Sequence, residues 1–428
     1  MPARTHSRAT GGASSIVAET TDMDMWASSP PELLLEIFRR LGATGVVRCA
    51  GVCKPWRRAI IGNAACLRPR PDRFLPDLLL GFVYRVWYLQ NDARLHPSPG
   101  PFASTLTVAS AATDTSCYAA DATVSSFVQT VEAAGGGGAA VKLSNGPLSS
   151  RDGLLLLRGS KAAHGLCLYN PMTGACTFLA AAALEAWTYV LVTGYDLSPS
   201  DGDGHDPALA VHIFAVTMEE AETGMAFRYQ VFTTSSAGGG TGTWGPVKRS
   251  PVKLRKGLKV EMSHGREVIC QGAIHWLCYS AASRRHTCTI AVDVHTGRSW
   301  TTELPKQWRH WNNYYETNLL ALATSMDGRL SVVRPKRRNQ IEVWVLVGAD
   351  QWTLWQTTAM DPNINLVKLC SFCPRSGCVL EESDRKLICI NVERGSLPPV
   401  KCIDNVFGYC HCPYEMDWST YISRMKHF

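Results

Sequence analysis

The chain has 428 residues, 46% of them hydrophobic and 18% charged, a balance that excludes a disordered polymer and leaves room for a small module beside one large domain. Its 43 basic and 36 acidic residues give a formal charge of +7 without a dominant basic block, which argues against nucleic acid as a partner. No run approaches the roughly 18–20 uninterrupted apolar residues of a membrane span, and 16 scattered cysteines read as reduced thiols of a cytoplasmic and/or nuclear protein rather than as a disulfide framework.

Residues 1–25 are rich in Ala, Ser, Thr and Arg but carry Glu19, Asp22 and Asp24, and they read as a disordered arm rather than an organelle address. A helical module is expected over residues 26–70. Ser29 and Glu32 have capping-box spacing, Pro30 sits where a helix start tolerates proline, and Gly42 is placed to stop the helix. A second short helix is expected from Thr44 to about Val52, and a third from near Pro55 to Gly62. On the first helix Leu33, Leu34, Leu35, Ile37, Phe38 and Leu41 span an arc of roughly 200°. Three short helices cannot bury such a surface among themselves, so a protein partner, or the large domain, must cover it.

From Asp72 onward the texture is short β-branched and aromatic runs separated by Gly, Asp, Asn and Pro, as in an all-β domain. Strands are expected at Leu154–Arg158, Leu166–Tyr169, Val211–Val216, Phe227–Thr233, Val268–Cys270, Ala273–Tyr279, Thr289–Val294, Leu330–Val333, Ile341–Val347 and Lys386–Asn391. Three segments repeat an apolar strand ending in Asn or Asp with glycine four residues later: Asn170 with Gly174, Asp293 with Gly297, and Asn391 with Gly395. In each, the side chain is expected to bond to nearby backbone while glycine supplies positive φ. Asp-Gly also opens strands at Asp152-Gly153 and Asp327-Gly328. These spacings approximate multiples of about 40–45 residues, the length of a four-stranded propeller blade, so residues 71–428 are expected to form a β-propeller of about six to eight blades.

The helical segment resembles the F-box family. Pro30-Pro31-Glu32-Leu33-Leu34-Leu35-Glu36-Ile37, Leu41 and Val52-Cys53-Lys54-Pro55-Trp56-Arg57 carry the resemblance, with Ser29 and Gly42 departing from the usual Leu and Pro. It implies docking on the Skp adaptor, and through it on cullin and RING subunits, by Pro30, Leu33, Leu34, Ile37, Leu41, Val46, Val52, Cys53 and Trp56, with Trp56 as anchor. The β domain resembles the propeller-type regions that follow the F-box in large plant families, through Asn170-Pro171-Met172-Thr173-Gly174, Gly272-Ala273-Ile274-His275-Trp276-Leu277 and Ile341-Glu342-Val343-Trp344-Val345-Leu346. The implied function is a non-catalytic substrate receptor of a ubiquitin ligase that presents an unidentified protein target. An F-box scaffold, or a ligand-binding propeller that delivers no substrate, is the alternative.

The remaining chemistry is thin. Cys370, Cys373 and Cys378, and Cys402, Cys410, His411 and Cys412, lack the paired spacing of a zinc site, so no metal or cofactor is expected. His275 in an apolar strand reads as a core residue, and Lys336-Arg337-Arg338 as a solvated loop. Trp308, Arg309, Trp311 and Tyr314 concentrate groups enriched at protein interfaces and form a candidate substrate-contacting loop, with cover of the propeller's own core as the alternative.

Overall fold

A computed structural model of the chain describes residues 30–41, 43–63, 67, 78–85, 106–110, 145–158, 165–170, 175–197, 211–221, 224–234, 242–252, 254–263, 265–310, 320–337, 340–359, 368–383, 386–392, 395–396 and 411–415. The chain divides into two compact units, Met1–Arg68 with Ile422–Phe428, and Pro69–Tyr421. The expected N-terminal arm lies outside the described residues, and among those described no helix is long and apolar enough to cross a membrane.

Among the described residues the first unit holds three helices, α1 (Pro31–Arg40), α2 (Ala43–Val52) and α3 (Lys54–Gly62). The capping box does not form: Pro30 is the N-cap, no side chain caps the end, and Pro31 takes the first helical position, where a missing N–H costs nothing. The Pro30 carbonyl accepts the N–H groups of Leu33 and Leu34 at 3.0 and 3.2 Å. Helix α1 ends as Leu41 turns extended, its N–H still bonded to Ile37 and Phe38. At the end of α3, the Asn63 amide donates to the Ala59 carbonyl at 2.8 Å, occupying one of the last carbonyls of the helix.

The second unit is a five-bladed β-propeller. Strands β1 (Leu79–Arg85) and β2 (Leu106–Ser110) come first and belong to a closing sheet. Blade one is β3 (Asn145–Arg151), β4 (Leu154–Arg158), β5 (Leu166–Asn170) and β6 (Ala175–Leu179). Blade two is β7 (Thr188–Thr193), followed by the short helix α4 (Gly194–Leu197), then β8 (Val211–Ala221), β9 (Gly224–Thr234), β10 (Gly242–Trp244) and β11 (Lys248–Val252). Blade three is β12 (Leu258–Val260), β13 (Val268–Cys270), β14 (Ala273–Ser280), β15 (His286–Asp293) and β16 (Ser299–Glu303). Blade four is β17 (Ala321–Thr324), β18 (Leu330–Arg337), β19 (Gln340–Gly348) and β20 (Gln351–Ala359). Blade five is β21 (Lys368–Cys373), β22 (Cys378–Ser383), β23 (Lys386–Asn391) and β24 (Gly395–Ser396).

All blades are antiparallel and four strands wide. In blade two β10 and β11 share one edge of β9, and in blade three β12 and β13 share one edge of β14. Broken edges and long connections lengthen the repeat, which is why the residue count alone implied more blades. Strand β25 (His411–Glu415) pairs with β1 and packs against both β3 and β21, so a three-stranded sheet from the two ends of the unit fills the gap between blades five and one.

Alternation along each strand feeds the cores between blades. Tyr189 and Leu191 of β7 pack with Leu156 and Ile213 on one side, while Val190 and Val192 pack with Phe227 and Trp276 on the other. Leu322, Val332, Ile341, Leu369 and Val379 continue the core through blades four and five. The turn chemistry holds where it is described. Asp152 and Gly153, at φ 45° and 78°, make the two-residue hairpin between β3 and β4. Asp293 Oδ1 accepts the N–H groups of His295 and Thr296 at 3.0 and 2.6 Å, with Gly297 at φ 69°. Residues 171–174 of the first such turn and residues 393–394 of the third lie outside the described residues; the Asn391 amide donates to the Ser376 carbonyl at 3.3 Å.

Candidate protein-binding surface

The helical unit builds its core from one side of α1. Leu34 and Phe38, one turn apart, are buried with Val46, Ala50, Ile60 and Leu67, and the Trp56 ring meets Phe38 edge-on at 5.6 Å. Beside that buried stripe the helix stays partly open: Leu33 is 51% exposed and the C-cap Leu41 38%. Val52 at the end of α2 is 60% exposed and Ile61 on α3 37%. Full burial of such a side chain from water is worth about 1.5–3 kcal/mol, of which roughly half remains to be gained at each of these positions, so the three helices together carry a drive toward another apolar surface.

Among the positions expected to face an adaptor, Pro30, Leu33, Leu41 and Val52 are exposed, while Ile37, Cys53 and Trp56 are half-buried. Leu34 and Val46 correct the expectation: at 4% and 1% exposure they are interior residues that hold α1 and α2 in place. Helical periodicity alone marked Leu33 and Leu34 as equally apolar; only the placement of α3 decides which of them is covered.

On the propeller, Trp308 also proves to be core. It lies in the 3-10 turn Lys306–His310, buried with Leu304, Leu320 and Val343, with Trp344 edge-on at 5.5 Å and the Arg334 guanidinium 4.9 Å above its ring. The only apolar side chain of an otherwise polar turn, the tryptophan is covered by Trp344 of β19 and Arg334 of β18 rather than offered. Arg309 sits in the same turn, its side chain not described, and Trp311 and Tyr314 lie outside the described residues. Beside this turn a polar groove of about 860 Å³ is lined by Arg255, Glu303, Lys306, Asp350 and Trp352 among others. Arg255 pairs with Glu303 at 2.9 Å, and the Trp352 indole donates to the Glu303 carbonyl at 2.7 Å. Trp187 and Trp355 are exposed elsewhere on the blades.

Lys336, expected in a loop, belongs to β18 and reaches Glu342 at 3.0 Å beside Arg334 at 2.8 Å. Burial opposes charge on Glu342, but the Trp344 indole bond and the two cations outweigh it and hold the carboxyl below its usual range. His275 is buried against Trp300, and desolvation lowers its pKa to about 4, so it is a neutral interior side chain. Cys373 and Cys378 face each other across β21 and β22, buried; Cys402 and Cys410 lie outside the described residues. Sequence reasoning missed Arg375 and Glu415, because nothing local marks a turn arginine or an edge-strand glutamate as a ring closure.

Residues 138–360 match the family described as Domain of unknown function (DUF7595), and residues 26–64 match the F-box-like family. No curated protein matches. Among solved structures the chain is similar to the complex of KlAtg21 with the coiled-coil of AgAtg16, at 11% identity and TM-score 0.29 over 60% of this chain and 85% of that one. It is also similar to dihydro-heme d1 dehydrogenase NirN in complex with DHE, at 12% identity and TM-score 0.30 over 76% of this chain and 64% of that one.

Proposed function

Since this chain belongs to the DUF7595 family and opens with an F-box-like domain, we propose that it is the substrate-recognition subunit of a Skp-cullin-F-box ubiquitin ligase, acting in the cytoplasm and/or nucleus. The helical unit docks on the Skp adaptor, and the propeller holds a protein target while ubiquitin arrives from a separate conjugating enzyme. The chain then contributes proximity and orientation rather than a reacting group.

The observation that carries the reading is the exposure of Leu33, Leu41, Val52 and Ile61 on helices whose own core is already filled by Leu34, Phe38, Val46 and Ile60. A filled core beside an open apolar side is the pattern of a module completed by another chain. Trp56 fits an anchor role, half-buried with its ring edge-on to Phe38.

Co-expression with the Skp adaptor and purification of the complex tests the docking step. Capture of the wild-type chain and its loss on combining Leu33→Asp with Val52→Asp supports the reading; failure of the folded wild-type chain to bind overturns it. Target delivery is tested separately, by ubiquitin transfer in the reconstituted ligase to proteins captured by the propeller.

A further inference from the structure

Three of the blades place two cysteines close together on neighbouring antiparallel strands, directly opposite one another in two of them. Cys278 stands opposite Cys288 across β14 and β15, and Cys373 opposite Cys378 across β21 and β22. The third pair is diagonal: Cys167 on β5 and Cys176 on β6 flank the paired residues Leu168 and Thr177, with their sulfurs 3.2 Å apart. That separation is about 1.2 Å more than an S–S bond of about 2.05 Å. The diagonal pair also differs in access. Cys278, Cys288, Cys373 and Cys378 are all buried, whereas Cys176 is only half-buried and lies on β6, the outer edge strand of blade one. An edge strand is bonded to a neighbour on one side only, so it can make the small shift that bond formation requires.

We infer that Cys167 and Cys176 form an oxidant-responsive dithiol, a modification site that closes to an intrachain disulfide on reaction with a hydroperoxide. The site belongs to blade one alone and does not depend on adaptor docking. Cys176 is the attacking group, since it is the more accessible of the two and its sulfur lies in hydrogen-bond contact with that of Cys167. That hydrogen bond lowers the Cys176 pKa against the opposing effect of burial, and the same contact, with burial, raises that of Cys167.

The Cys176 thiolate attacks one peroxide oxygen; an S–O bond forms, the O–O bond breaks, and hydroxide leaves to be protonated as water. Cys176 is now a sulfenic acid. The Cys167 sulfur then attacks the Cys176 sulfur, the S–S bond forms and the S–O bond breaks, and the departing hydroxide takes the Cys167 proton to leave as a second water. Two thiols are oxidised by two electrons, and one hydroperoxide is reduced.

The test uses the full-length reduced chain, exposed in its native state to a small excess of hydrogen peroxide, then unfolded in an alkylating agent and mapped by mass spectrometry without reduction. The expected product is a peptide lighter by two hydrogens that takes no label at Cys167 or Cys176, formed at least about tenfold faster than closure at Cys278 and Cys288. Cys167→Ser should leave Cys176 as a sulfenic acid trapped by dimedone, and Cys176→Ser should leave Cys167 reduced and fully alkylated. The inference is overturned if both cysteines remain labelled under conditions that oxidise the half-buried Cys49 and Cys53. Passage of Cys176 to the sulfinic acid while Cys167 stays free overturns it equally.

Discussion

Arg375 in the β21–β22 turn forms a two-pronged ion pair with Asp152 in the β3–β4 turn, Nε to Oδ1 at 2.7 Å and Nη2 to Oδ2 at 2.9 Å, across 223 residues of sequence. The pair joins the last blade to the first. Asp152 also accepts the Thr193 hydroxyl at 2.5 Å, and Asp196, bonded to Arg151, lies within 3.5 Å of Arg375. Glu415 of β25 completes the seam: its carboxylate accepts the Arg375 and Ser376 N–H groups at 3.0 and 2.6 Å, and its carbonyl accepts the Gly153 N–H at 2.8 Å. Burial pushes the Glu415 carboxyl up, opposed by the bonds from Ser376 and the charge of Arg375.

Breaking that pair should loosen the ring at its closure. Arg375→Met leaves the Asp152 carboxylate buried beside Asp196 without its cation, at a cost of about 3–5 kcal/mol. Asp152→Asn keeps the hydrogen-bonding shape and should cost less. Urea unfolding midpoints measure both, and limited proteolysis should show earlier release of residues 411–415 in Arg375→Met.

The helical unit should separate stability from binding. Leu33→Asp and Val52→Asp alter exposed side chains and should change unfolding free energy by no more than about 0.5 kcal/mol, while weakening adaptor binding by about 2 kcal/mol or more. Leu34→Ala and Phe38→Ala remove interior side chains and should destabilise by about 2–5 kcal/mol. Calorimetric titration with the adaptor, alongside thermal melting, distinguishes the two classes.

Trp308→Ala should behave as a core truncation, losing about 3–5 kcal/mol, whereas Trp355→Ala, at a side chain 62% exposed, should leave the melting curve nearly unchanged. A drop in target capture by Trp308→Ala without any loss of stability would contradict its interior role.

Acid should destabilise the propeller through His275. Its folded pKa of about 4 lies below the unfolded value of about 6.5, so the unfolded chain binds more protons between those limits. The contribution, about 3 kcal/mol in full, is present above pH 6.5 and is lost as pH falls toward 4. Glu267 runs the opposite way: burial raises its pKa to about 7, and its contribution is lost as pH rises through that value. Comparing wild type with His275→Phe from pH 7 to pH 4.5 isolates the histidine; the difference should shift toward the variant as pH falls.

Gly297→Ala tests the turn reading directly. Gly297 has φ 69°, and a Cβ there would run into the Tyr229 hydroxyl of the neighbouring blade. A loss of about 1–3 kcal/mol is expected, from strain at the turn and displacement of Tyr229, measurable by chemical unfolding.

Much of the fold was legible because its causes are local. Leu154–Arg158, Val268–Cys270 and Lys386–Asn391 stand where the β-branched and leucine runs placed them, and Asp152-Gly153 makes the turn its chemistry demands. The F-box-like helices likewise followed from period and proline, although Pro30 rather than Ser29 caps the first of them.

By itself, then, the sequence determined the three helices and the ten strands named from it, the hairpin at Asp152-Gly153 and the turn from Asp293 to Gly297, and that the N-terminal helices carry a wide apolar arc. Backbone preference and side-chain period act over a few residues, and a few residues are enough to read them. Only the tertiary structure decided that Leu34 is covered while Leu33 is not, that Trp308 is packed inside, that Arg375 meets Asp152, and that Cys167 lies beside Cys176. Each depends on which distant surface arrives opposite a given side chain, and no local pattern encodes that arrival.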